Sequence, residues 1–246
     1  MKDNFSSYAA SYAQYRPVYP AALYNFLLSY VPERRVAWDC GCGNGQVAAV
    51  LAAYFDRVEA SDISQTQLQN AVQKPNIRYQ LAPAEKTDIP SHSVNLITVA
   101  QAIHWFDFEA FYREVYRVSA KQAILAVWCY NLLEITPAIS TIIRNFYTHI
   151  LGSYWDSERH YIDEHYQTIP FPFKEIPAPK FNIKASWTFE HFLGYLNTWS
   201  AVHHYIQKNG TNPLDMILPD LKHAWRNHHF LPVKFPLYLR MARVQS

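Results

Sequence analysis

Apolar residues gather in short blocks, and segments with helical spacing lie between them. Val36, Ala37 and Trp38 form a first buried block. A glycine turn follows, and residues 46–54 (Q-V-A-A-V-L-A-A-Y) then predict a helix with an apolar face. Residues 57–62 predict a second strand ending in an acid, and residues 76–81 a third short strand. Residues 94–102 are rich in β-branched side chains and predict a buried strand. Residues 108–118 predict a helix and residues 123–129 a fifth strand. Ahead of these, Phe5, Tyr8, Tyr12 and Tyr15 recur at helical spacing as one aromatic stripe. Arg16-Pro17 ends that leader, because the residue before proline avoids the helical region. Residues 21–31 predict the helix leading into the first strand, and Ser64 is placed to cap a helix after the second.

Beyond Asn131 the pattern changes. Nine of the 11 histidines lie there, and aromatic residues stay dense. Residues 137–151 and 154–166 predict helices, and 171–179, with several prolines, an irregular connection. Residues 181–189 alternate as a strand does, and residues 190–207 predict one long helix. Residues 234–244 predict the last strand, with Pro236 near its start, where a lost ladder bond matters least.

The 246 residues suffice for one large domain, or a domain with an insertion. Half are apolar and 17% are charged, which excludes a disordered chain. A net charge of +2 without a long Lys/Arg cluster gives no reason to expect nucleic acid as a partner. No apolar run reaches the roughly 18 residues of a membrane span, so no membrane partner is expected. The opening M-K-D-N-F-S-S-Y lacks a signal-peptide core. Cys40, Cys42 and Cys129 read as small buried residues of a reduced, cytoplasmic protein. No metal site is expected. Cys40 and Cys42 lack two further ligands nearby, and the neighbours His203-His204 and His228-His229 point in different directions. Composition leaves the oligomeric state open.

The chemistry concentrates at D-C-G-C-G-N-G, residues 39–45, which holds three of the six glycines. Strand, glycine turn and helix present backbone N–H groups and a positive helix end to a ligand. Asp62, tipping the second strand, can accept hydrogen bonds from a ribose diol. Ile63 beside it can lie against a flat adenine. A nicotinamide-dependent dehydrogenase offers the same logic, but its G-x-G-x-x-G fingerprint needs glycine at Gln46. Asp39 would also repel a pyrophosphate, whereas it can accept from an ammonium group.

Together, D-x-G-C-G-x-G and the acid-tipped strand resemble the class I S-adenosylmethionine-dependent methyltransferases. The resemblance implies a Rossmann-like α/β fold: a seven-stranded, mostly parallel sheet flanked by helices, with a helical lid insertion. It implies a single domain over residues 1–246, a cap helix over 1–20 and a lid over 131–207. The implied cofactor is S-adenosyl-L-methionine, held by Asp39, Gly41, Cys42, Gly43, Gly45, Asp62, Ile63, Ala84, Glu85, Gln101 and Ala102. The leader Y-x-x-Y-R-P-x-Y-P and the segment A-Q-A-I-H-W-F-D, residues 100–107, look like the trans-aconitate methyltransferase-like (type 11) branch. By that likeness Tyr12, Tyr15 and Arg16 border the methionine end of the cofactor, with Arg16 suited to its carboxylate. His104 is the candidate catalytic residue, a base if the acceptor is a hydroxyl or an amine. Trp105 at the mouth, and Trp199, Ser200 and His203 in the lid, are candidate contacts to a small-molecule acceptor. Asn95 stands where the family usually has aspartate, and residues 119–123 replace its K-P-G-G turn. The branch hints at a carboxylic acid, and a non-catalytic module that only binds the cofactor stays open.

Overall fold

The computed structural model describes residues 14–244. Seven strands form one sheet in the order β3-β2-β1-β4-β5-β7-β6. They are β1 (Val36–Cys40), β2 (Arg57–Asp62), β3 (Ile77–Leu81), β4 (Val94–Ala100), β5 (Ser119–Tyr130), β6 (Phe181–Trp187) and β7 (Leu231–Arg243). Strands β1 to β5 pair in parallel, and β7 runs antiparallel to both β5 and β6. The sheet reverses its order between β1 and β4, so their carboxyl ends open a crevice of the kind α/β sheets use for ligands. This is the expected fold class.

All five side chains of β1 are buried, which suits a central strand covered on both faces. One face is packed by α1 (Ala21–Ser29) and α2 (Gln46–Leu51), with α3 (Gln65–Gln69) beside them. The other is covered by α4 (Phe108–Val118), whose Phe111, Val115 and Val118 share one stripe. Asp107 caps α4 by accepting from the Ala110 N–H at 3.0 Å. Ser64 caps α3 in the same way, accepting from Gln67 N at 3.2 Å. Asn95 accepts the β1 amide of Val36 at 3.1 Å, so the residue that departs from the family pattern still makes a supporting bond.

Several boundaries differ from expectation. The helix expected over 46–54 stops at Leu51. Strand β5 starts at Ser119 and absorbs a positive-φ residue, Gln122, where the altered turn was expected. The helix predicted over 137–151 is α5 (Pro137–Asn145) followed by a wider π turn at Phe146–Ile150. That predicted over 154–166 is two short 3-10 turns and α6 (His160–Asp163). The long helix over 190–207 is two helices, α7 (Phe189–Asn197) and α8 (Ser200–Asn209). Thr198 breaks it: its hydroxyl donates back to Tyr195 O at 2.6 Å, and Trp199 leaves the helical region. A final helix, α9 (Leu218–Trp225), carries no expectation from the sequence. Phe5, Tyr8 and Tyr12 lie outside the described residues.

Candidate functional site

The glycine turn is built against its surroundings. Gly41 has φ +67, and a Cβ there would sit 2.6 Å from the Cβ of Ala102, so this position admits only glycine. Its N–H and that of Cys42 donate to Ser61 O at 2.8 and 3.0 Å, which ties the turn to β2. Gly43, at φ +53, faces open space instead; the nearest atom to an added Cβ is Gln67 Oε1 at 4.0 Å. Gly45 caps α2 in the left-handed region. Its open side is closed by Tyr79, whose hydroxyl donates to Val72 O at 2.6 Å.

Asp62 organises the tip of β2. One oxygen accepts the Gly43 N–H at 2.8 Å, and the other accepts Ser64 N–H at 2.8 Å. Ile63 is half-buried between them. Asp39 is fully buried and also spans two elements: Oδ2 accepts from Ala48 N and Oδ1 from Thr98 Oγ1, both at 3.0 Å. Its carboxyl is pushed up to about 7, chiefly by burial and in part by Asp62, against the pull of those two hydrogen bonds. Burial and the same acids push the thiols of Cys40 and Cys42 up, so neither is a nucleophile.

Glu85 accepts the Asp107 N–H at 2.9 Å, joining the loop after β3 to the start of α4. Ala84 beside it is buried in the core under α4. Gln101, just past β4, takes φ 56 and clasps β5: its side chain donates to Tyr130 O and accepts from Tyr130 N. Ala102 packs on Gly41. Arg16 reaches this end of the sheet. Arg16 donates to Tyr130 OH at 2.9 Å and to Thr198 O at 3.2 Å, with its guanidinium 5.4 Å from the Tyr195 ring.

A narrow cavity of about 40 Å³ lies beside the end of β4. It is lined by Arg16, Gln101, His104 and Trp105, together with Trp155, Asp156, Arg159, Ile162, Trp199 and Ser200. His104 is buried, with its Nδ1 2.8 Å from Tyr166 OH and its ring 4.8 Å from that of Trp105. Burial first, then the charge of Arg159, push its pKa down to about 3. The imidazole is therefore neutral at pH 7 and a poor proton acceptor. His203 stands half-buried on α8 and is not among the cavity's lining residues. The structure thus joins Arg16, Gln101, His104, Trp105, Trp199 and Ser200, and adds Trp155, Asp156 and Arg159, which the sequence reading passed over. A tryptophan and an arginine four residues apart in an aromatic-rich segment were the only signal.

A methyltransferase-domain family model matches residues 38–127. The chain is 34% identical over 249 residues to a "Putative methyltransferase" of Dictyostelium discoideum, covering 98% of this chain and 95% of that protein. It matches the structure of "a Putative Type II Methyltransferase from Anaeromyxobacter dehalogenans" with TM-score 0.86 and 40% identity, over 93% of this chain and 97% of that one. The chain belongs to the methyltransferase family. The methyltransferase's cofactor is S-adenosylmethionine. The donor set suits it: Asp62 and Glu85, with the partly ionised Asp39, gather acidic groups near the ends of β1 to β3, favouring an ammonium and a sulfonium over a pyrophosphate. Gln67 Oε1, buried and without a hydrogen-bond partner beside the open side of Gly43, can take a ligand donor. Among the described residues no helix is long and apolar enough to cross a membrane, and no group of His, Cys, Asp and Glu could hold a metal ion.

Proposed function

We propose that the methyltransferase transfers a methyl group to a small-molecule acceptor, a carboxylic acid in keeping with the trans-aconitate branch it resembles. One observation carries this reading: the cavity beside β4 gathers the leader, the strand-4 motif and the segment 131–207 around one small space. That segment is the lid over the acceptor, and the leader with Arg16 is the cap over the cofactor. S-adenosylmethionine, when bound, supplies an electrophilic methyl on a sulfonium. The Gly41–Gly45 turn, Asp62, Ile63, Ala84 and Glu85 hold the nucleoside end, and Tyr12, Tyr15, Arg16, Gln101 and Ala102 the methionine end. Asp39 acts by fixing the turn to α2 and by lending negative charge to the ammonium.

The protein's task is alignment and exclusion of water. Trp105, Trp155 and Trp199 line the cavity with their indoles. His104, kept neutral, hydrogen-bonds the acceptor and does not remove a proton. This fits an acceptor oxygen that is already anionic, such as a carboxylate, which needs no base. Calorimetry of S-adenosylhomocysteine binding, followed by mass-spectrometric screening of small acids, phenols and amines, tests the reading. Micromolar binding and a methylated acid are expected. Binding without any methylated product would leave only a cofactor-binding module, and no binding would end the proposal.

A further inference from the structure

Arg159 is held as a receptor for a negative charge. It closes the 3-10 turn Ser157–Arg159, and its guanidinium lies 4.8 Å over Trp155 and 5.3 Å over Tyr147. Among the described residues, only one edge is used. Nε donates to Tyr147 OH at 2.9 Å and stands 3.8 Å from Asp163 Oδ1, which also accepts that hydroxyl at 2.6 Å. Nη1 and Nη2 make no hydrogen bond or ion pair with the described residues. The side chain lines the cavity and is only 21% exposed. Its charge acts on His104, Cys129 and Tyr195. The carboxylate of Asp156, also on the cavity wall, lies 4.0 Å from His204 Nδ1, which donates to Tyr154 O at 2.9 Å.

A guanidinium oriented by two rings and a fixed Nε loses little freedom when it binds, and its fork matches a carboxylate. The three indoles of Trp105, Trp155 and Trp199 line the same cavity, and aromatic or unsaturated groups pack well against such rings. Resting on the methyltransferase reading above, we propose that Arg159 selects the acceptor by binding a carboxylate on a flat, aromatic or unsaturated small molecule. That carboxylate is distinct from the reacting atom. Hydrogen bonds from a guanidinium withdraw electron density from an oxygen, so the nucleophile lies at the other end, beside Gln101 and His104. The transfer itself is a displacement: the acceptor's nucleophilic atom bonds to the methyl carbon as the carbon–sulfur bond breaks, and the electron pair stays on sulfur.

The test uses the full chain saturated with S-adenosylhomocysteine and paired probes: salicylate and phthalate against salicylamide and phthalamide. Titration calorimetry should show the parent binding the acids at least ten-fold tighter than the amides. Arg159→Gln should erase that preference while leaving S-adenosylhomocysteine affinity within two-fold, and Arg159→Lys should keep part of it. Tyr147→Phe, which frees Nε without removing the charge, should weaken acid binding several-fold and guards against a misfolded Arg159 variant. A parent that binds acids and amides equally, or binds none of the four, overturns the proposal. So does an acid preference that survives in Arg159→Gln. A parent that fails to bind S-adenosylhomocysteine would sink the broader reading instead.

Discussion

Tyr15 of the leader lies directly on Gly194 of α7: a Cβ at 194 would stand 2.5 Å from the Tyr15 ring. The same ring meets His191 edge-on at 5.2 Å, one turn earlier. In an exposed helix interior, replacing glycine by alanine adds about 1 kcal/mol of stability. Here the added methyl must displace Tyr15, and with it the neighbouring Arg16. Gly194→Ala is therefore expected to leave the melting temperature unchanged or raised while weakening S-adenosylmethionine binding about ten-fold, or about 1.4 kcal/mol. Tyr15→Ala should cost a similar factor, and the double variant no more than either alone. Additive losses in calorimetry would mean that the leader does not cap the cofactor through this contact.

Asp39 and His104 give stability opposite pH slopes. The carboxyl of Asp39 is raised to about 7 in the folded chain, above its ordinary 3.8. Between those values the folded state holds a proton that the unfolded state has lost, so stability falls as pH rises. His104 is lowered to about 3 from an ordinary 6.5. Between those values the unfolded state holds a proton that the folded state lacks, so stability rises with pH. Each slope approaches about 1.4 kcal/mol per pH unit at full coupling. They offset each other between pH 4 and 6.5. Urea midpoints should show Asp39→Asn gaining stability as pH rises through that window and His104→Asn losing it. Parallel profiles for the two variants would refute the assignment.

The sequence made the cofactor half legible because its chemistry is local. A glycine triplet after a buried strand and an acid at the next strand tip each state their constraint within a few residues, as Gly41 against Ala102 and Asp62 against Gly43 N–H now display. The half of the chain beyond Asn131 was less legible. The one glycine in residues 190–207, Gly194, lies inside α7 and does not mark the break, and the split at Thr198 depends on its hydroxyl and on Arg16, 182 residues away. Arg159 reads as an ordinary surface arginine until Tyr147 and Trp155 close around it. Gln67 looks like one of several polar residues on a short helix, and only burial distinguishes it.

The buried Glu114 and the partly exposed Arg117 anchor the loop that carries Glu85. Glu114 Oε1 accepts from Thr87 N at 2.8 Å and from Thr87 Oγ1 at 2.7 Å, while Arg117 donates to both of its oxygens. Burial raises its pKa, yet the bonds from Arg117 and Thr87 outweigh burial and leave it lowered. This contribution is present above the ordinary glutamate range and lost as pH falls through the lowered value. Glu114→Ala leaves the Thr87 donors and Arg117 without their acceptor, and should cost about 2–3 kcal/mol by urea denaturation. Glu114→Gln should recover part of that loss, and the deficit of either variant should shrink at acid pH. A deficit that persists unchanged at acid pH would show that packing, not charge, is at stake.

Arg240 of β7 reaches the site through Tyr166. Its Nη1 donates to the carbonyls of Tyr166 and Ile169 at 2.7 Å each, and Glu175 pairs with its other edge at 2.6 Å. Those bonds pin a turn in which His165 and Tyr166 both take positive φ, 57 and 60, a conformation costly for bulky side chains. The turn in turn sets the Tyr166 hydroxyl 2.8 Å from His104. Releasing the turn should let Tyr166 leave the imidazole. Arg240→Met is expected to lower kcat about ten-fold with the KM for S-adenosylmethionine unchanged, since the strand-tip residues are untouched. Tyr166→Phe should reproduce the kcat loss with a smaller stability cost, about 1 kcal/mol for one hydrogen bond. If Tyr166→Phe keeps full kcat while Arg240→Met loses it, the arginine acts on the fold alone and the hydroxyl has no part in orienting His104.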